Sequence, residues 1–74
     1  MEIKLNEFDK IKRFLSEVTK FSSDIDIIRD RYVIDAKSSM GIFTIDLSKP
    51  VTVQIHSDDA KETIRFIETM KQFI

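Results

Sequence analysis

The chain has 74 residues, enough for one domain, and at that length folding removes only about 60% of the surface exposed by the unfolded chain. It carries 12 Lys and Arg against 13 Asp and Glu, for a formal net charge of -1 with the signs interspersed. That balance excludes the net basic face that nucleic-acid phosphates require. With no cysteine and a single histidine, disulfide stapling and thiolate metal sites are excluded as well, and neither a metal nor a cofactor is expected.

The opening stretch MEIKLNEF has no long apolar run, and nothing later approaches the roughly 20 apolar residues that span a bilayer. No membrane partner is expected, and the chain is expected in the cytoplasm. One glycine and one proline in the whole sequence leave no linker, repeat or low-complexity stretch, so residues 1–74 read as a single domain.

Glu2, Ile3, Lys4 and Leu5 alternate polar and apolar, as a short half-buried strand does. Asn6 is the expected N-cap of a helix over residues 7–20, with Glu7 and Asp9 in its first turn where the dipole favours negative charge. Phe8, Ile11, Phe14, Leu15, Val18 and Phe21 form its apolar stripe, and Lys10, Lys12, Arg13 and Lys20 face water. After Ser22 and Ser23 the period changes to two: Ile25 and Ile27 alternate with Asp24 and Asp26. Tyr32, Ile34 and Ala36 then alternate with Val33, Asp35 and Lys37, giving a hairpin that turns near Asp30 and Arg31 without the glycine a tight two-residue turn prefers.

Between Ser38 and Asp46, periodicity does not separate a short helix from a strand, but Ser38 as a cap favours helix. Pro50 opens a last strand in which Val51, Val53 and Ile55 alternate with Thr52, Gln54 and His56. Ser57 is the expected cap of a final helix, with Asp58 and Asp59 in its first turn. Thr63, Phe66, Ile67, Met70, Phe73 and Ile74 form its core stripe, while Lys61, Glu62, Arg65, Glu68 and Lys71 occupy the rest and Ile64 is off the stripe. The expected class is α+β, an open-faced sandwich of order β-α-β-β-α-β-α. Its mostly antiparallel four-stranded sheet carries three helices on one face, and Asp24, Asp26, Asp35, Lys37, Thr52 and Gln54 face solvent on the other.

The segment Lys37-Ser38-Ser39-Met40-Gly41, after a strand ending in Asp35-Ala36, resembles the regulatory-serine motif of the HPr phosphocarrier family. Lys20-Phe21-Ser22-Ser23-Asp24-Ile25 resembles the family's passage from first helix to second strand, and Glu68-Thr69-Met70-Lys71 its last helix. The resemblance runs from about Phe14 to Lys71. The family's phosphoryl acceptor lies in a glycine-leucine-histidine-alanine-arginine-proline run at the start of the first helix, and none of that run is present. Counting back without gaps from the serine motif puts Glu7 where the histidine belongs and Asp9 where the arginine belongs. Glutamate cannot stand in for imidazole as a reversible phosphate carrier, and Asp9 would repel the group that arginine holds by charge-assisted bonds. The resemblance therefore implies a Crh-like member without the active-site histidine: no catalytic residue, and a protein-interaction role in place of carriage.

By that resemblance Ser38 is a regulatory phosphorylation site, and Met40, Gly41 and Phe43 with Ser39 form a docking patch. The implied partner is a protein, such as a serine kinase or a transcriptional regulator of the HPr type. Ser39 stands where an apolar residue is usual beside the regulatory serine. Read from the residues alone, Ser38 is a helix cap, Met40 and Phe43 are core, and the acidic pairs Glu7/Asp9 and Asp58/Asp59 are first-turn capping residues. Two other functions stay open: an atypical phosphocarrier using His56, which sits just before the last helix, and a structural HPr-fold domain with an unrelated partner. Monomer and dimer are both compatible with the sequence.

Overall fold

The computed structural model describes residues 1–38 and 40–74. Strand β1 (Glu2–Ile3) is followed by helix α1 (Phe8–Val18), the hairpin β2 (Asp24–Arg29) and β3 (Tyr32–Asp35), strand β4 (Val51–His56) and helix α2 (Ala60–Met70). A four-residue 3-10 turn, Gly41–Thr44, lies between β3 and β4, and another, Lys71–Phe73, follows α2. The sheet is fully antiparallel in the order β1-β4-β2-β3.

Period two along the strands sends Ile3, Ile25, Ile27, Val51 and Val53 to one side. There they join Ile11, Phe14 and Val18 of α1 and Phe66 and Met70 of α2 in a single core. Phe14 meets Phe73 edge-on with ring centroids 5.7 Å apart, and Phe21 meets Phe66 at 5.6 Å. Each such pair is worth about 0.5–1.5 kcal/mol beyond the area it buries. The opposite sheet face is open and carries Asp24, Asp26, Asp35, Thr52, Gln54 and His56, in register with the core-facing residues. Among the described residues no helix is long and apolar enough to cross a membrane.

Several expectations are corrected. Among the described residues there are two α-helices, not three, because of those between Ser38 and Asp46 only Ile42 is fully buried and Ile45 is already extended (φ −116°, ψ 160°), so the stripe is not sustained for another turn. β1 stops at Ile3, since the N–H of Lys4 donates to Phe73 O at 2.7 Å instead of to β4, which begins only at Val51. At the start of α1 the capping position falls to Glu7, which is extended and makes no side-chain cap bond, and not to Asn6. For α2 the cap is Asp59, whose side chain accepts the N–H of Lys61 at 2.9 Å, while Ser57 Oγ accepts the N–H of Asp59 at 3.1 Å. Phe8, Tyr32, Ile67 and Ile74 lie outside the core they were assigned to, and Glu62 lies inside it at 8% exposure.

Candidate functional site

The β3-to-turn corner is built from local bonds. Asp35 Oδ1 accepts the N–H of Lys37 at 2.9 Å, and the Asp35 carbonyl accepts the N–H of Ser38 at 3.0 Å. The chain then folds back so that Gly41 donates its N–H to the Ser38 carbonyl at 3.1 Å, with Ser38 Oγ a longer 3.4 Å away. Thr44 Oγ1 closes the turn by donating to the Gly41 carbonyl at 2.6 Å.

Gly41 is required by close approach, because a β-carbon there would fall 2.8 Å from Ile34 Cγ2. Burial of Ile42 anchors the turn, while its neighbours Met40 and Phe43 are left 81% and 57% exposed. Ser38 is exposed as well. The residue expectations at Ser38, Met40, Gly41 and Phe43 thus fall on one short surface turn; Ser39 lies outside the described residues. Lys37 is not free beside Ser38: its Nζ donates to the Phe21 carbonyl at 2.8 Å, tying the turn to the segment that joins α1 to β2.

Glu7 sits immediately before α1, and Asp9 occupies the first helical turn. The chain leaves the sheet after Ile3, beside Val51, and re-enters at Asp24, beside His56. Glu7 and His56 consequently lie on opposite sides of that excursion. His56 is on the open sheet face, where its Nε2 bonds Asp26 Oδ2 at 2.7 Å. Among the described residues no group of three or more His, Cys, Asp and Glu side chains is placed to hold a metal ion.

The best-connected polar group is one that sequence reasoning placed on the solvent face. Glu62, in the first turn of α2, accepts the N–H and hydroxyl of Ser22 and the hydroxyl of Ser23. Hydrogen bonding, from the Ser23 hydroxyl foremost and then those of Ser57 and Ser22, lowers its pKa to about 2 against the opposing effect of burial. Arg65 completes the clamp, its guanidinium 4.7 Å from the Phe21 ring centroid. The signal was present in the sequence: Glu62 is in phase with Phe66, Met70 and Phe73 on the buried face of the helix.

An antiparallel β1-β4-β2-β3 sheet covered on one side by two helices, with a serine-led turn between β3 and β4, defines an open-faced α+β sandwich of the HPr type. Residues 10–74 match the family described as PTS HPr component phosphorylation site, and the chain belongs to that family. The matched region begins beyond Glu7. Among solved structures, HPr-C-His from Thermoanaerobacter tengcongensis superposes with a TM-score of 0.74 and 28% identity, over 97% of this chain and 88% of that one. Crh of Bacillus subtilis, a catabolite repression protein described as a swapped, intertwined dimer, superposes at 0.64 with 21% identity, over 100% of this chain and 87% of its own. The likeness to Crh is one of fold. No curated protein matches the chain by sequence.

Proposed function

We propose that the chain is a non-catalytic regulatory and protein-interaction module of the phosphotransferase-system type. It acts in the cytoplasm, takes no cofactor, and offers the Ser38–Phe43 turn to a protein partner. The observation that carries this reading is the exposure of Met40 and Phe43 on a turn whose backbone is fixed by the burial of Ile42 and the contact of Gly41 with Ile34. Apolar side chains held out to water on an ordered scaffold are what a docking patch requires, and a flexible methionine adapts to the surface it meets. Phe8, 65% exposed at the start of α1, extends the supply of apolar surface.

The proposed loss of carriage rests on the gapless count from the serine motif, which puts the carboxylate of Glu7 where the family has its histidine. His56 supports a carrier role less well, since its Nε2 is engaged by Asp26 on the open sheet face. Ser38, exposed just after β3, is the proposed regulatory phosphorylation site, and a serine kinase or transcriptional regulator of the HPr type is the proposed partner. The test is incubation with phosphoenolpyruvate and the general phosphotransferase enzyme, followed by assay for acid-labile phosphate. The protein should remain unlabelled; a stoichiometric phosphohistidine at His56 would replace this reading with that of an atypical carrier.

A further inference from the structure

Strand β3 is an edge of the sheet, and its register with β2 fixes which backbone groups are unused. Arg29 pairs with Tyr32 across a two-residue connection, and the N–H of Ala36 donates to Ile25 O at 2.8 Å. Backbone groups alternate in direction along an antiparallel strand. Tyr32 and Ile34 therefore bond β2, whereas Val33 and Asp35 turn their N–H and C=O groups toward the free edge; Arg31 lies in the turn that leads into β3. Edges of this kind are usually guarded by lysine, proline or a bulge. Residues 32–35 of this chain, Tyr-Val-Ile-Asp, include none of these guards, and Tyr32 and Val33 are 61% and 64% exposed.

We propose that this edge is a self-association surface: two copies of the chain pair antiparallel through β3, centred on Val33. The centring is dictated by complementarity. Val33 then meets Val33 of the second copy, and Arg31 stands opposite the second copy's Asp35, twice in a two-fold arrangement. The Val33 pairing is between residues whose backbone groups face outward, so its ladder hydrogen bonds form without any change of register, and Arg31, in the turn beside the strand, brings its side chain to the second copy's Asp35.

On the open face the pairing creates an unbroken apolar row, Ile28 and Val33 of one copy followed by Val33 and Ile28 of the other. On the core face Tyr32 comes to lie beside Ile34 of the second copy. It also answers a local cost. Asp35 stands directly across from Asp26 within the hairpin, and like charges opposed across strands are destabilising. Asp26 is engaged by His56, whereas among the described residues the Asp35 side chain accepts the N–H of Lys37 and pairs with no cation; the incoming Arg31 supplies one. The arrangement is isologous and closes at two copies. Built on one short strand, the contact falls at the small end of specific interfaces, and the dimer forms in a concentration-dependent way.

Sedimentation equilibrium between about 10 μM and about 1 mM, the range in which a small interface saturates, tests it directly. The mass of the wild-type chain should rise from one copy toward two. Arg31→Asp, which sets Asp against Asp35, should move the midpoint at least about tenfold higher. Val33→Pro, which removes an outward N–H at an edge position that tolerates proline, should keep the chain monomeric. The charge exchange Arg31→Asp with Asp35→Arg should restore the wild-type midpoint, with far-UV circular dichroism verifying the fold of each variant. A wild-type chain that stays monomeric throughout, a dimer that either single variant keeps at full strength, or a double variant no stronger than Arg31→Asp, overturns the proposal.

Discussion

Glu62 accepts both the backbone N–H of Ser22, at 3.0 Å, and its hydroxyl, at 2.9 Å, so that the first turn of α2 holds the segment joining α1 to β2. These residues are 40 positions apart in the chain, and the contact sets where the second layer of the sandwich begins. Arg65, one turn further along α2, covers Phe21 in the same segment. The α1–β2 connection is therefore clamped by one carboxylate and one cation from the same helix.

Because the Glu62 pKa is lowered from 4.5 to about 2 in the folded chain, with the Ser23 hydroxyl the largest cause, its stabilisation is complete above the unfolded value. It is lost as pH falls from 4.5 toward about 2. Glu62→Gln should be less stable than wild type at neutral pH and should show a flatter stability profile across that window. Asp46, also lowered by its bonds to Ser48, titrates in both proteins and cancels in the difference. Urea unfolding at a series of pH values reads the effect; profiles that run parallel would leave Glu62 as a neutral packing residue.

Gly41→Ala places a methyl 2.8 Å from Ile34 Cγ2, and overpacking of that kind costs about 1–3 kcal/mol. Ile34→Ala removes the opposing atom, so the double variant should recover part of the loss relative to the sum of the two single changes. Thermal or urea denaturation of the four proteins measures the coupling. Strict additivity would mean that the turn moves freely away from β3.

The sheet was readable because period two is unambiguous in Ile25/Ile27 and Val51/Val53, and the hairpin because Arg29 and Tyr32 leave room for only Asp30 and Arg31; with no glycine, Asp30 itself takes the positive φ of 54°. The residues proposed for docking were singled out by the serine motif, but the 3-10 form of their turn was not legible, since nothing local tells how far a helix continues after a single buried Ile42. Exposure of Phe8, Ile67 and Ile74 was hidden for a related reason: a stripe marks a helical face, but the width of the partner layer decides how much of it is covered. Glu62 was missed because an acidic residue on a core stripe is ordinarily assigned to water, and its partners, Ser22 and Ser23, are remote in sequence. The tie from Lys37 to the Phe21 carbonyl is likewise a tertiary fact with no sequence period behind it.

Met40→Glu should change stability by no more than about 0.5 kcal/mol, as substitutions at exposed positions do, while weakening capture of a protein partner. Phe14→Ala, a few residues into α1 and fully buried against Phe73, should cost about 3–5 kcal/mol. Denaturation curves set the two against each other, and a partner pull-down with Met40→Glu supplies the functional readout. Loss of cooperative unfolding in Met40→Glu would move Met40 from the surface to the core and remove the patch.

Phosphorylation of Ser38 should change the choice of partner with little change in the fold. The hydroxyl is exposed and, among the described residues, its backbone contact, the N–H of Gly41 at 3.4 Å, is long, so a phosphoryl group displaces nothing from the core. It adds about −1.5 to −2 charges at neutral pH, next to Met40 and near Phe43. Lys37, whose ammonium is bonded to the neutral Phe21 carbonyl, keeps its charge and offsets part of the added one, while the Asp35 carboxylate, held by the N–H of Lys37, stays on the same corner. The turn thus passes from an apolar patch to an apolar patch with net negative charge. An acidic or purely apolar partner should then bind about tenfold more weakly or worse, and a basic one more tightly, because like charges brought together across an interface are strongly unfavourable. Treatment with ATP and an HPr-type serine kinase, location of the phosphate by mass spectrometry, and partner titrations with both forms provide the measurement. A protein that takes no phosphate at Ser38, or binds identically in both forms, would leave Ser38 as an exposed residue of the link between β3 and the 3-10 turn and nothing more.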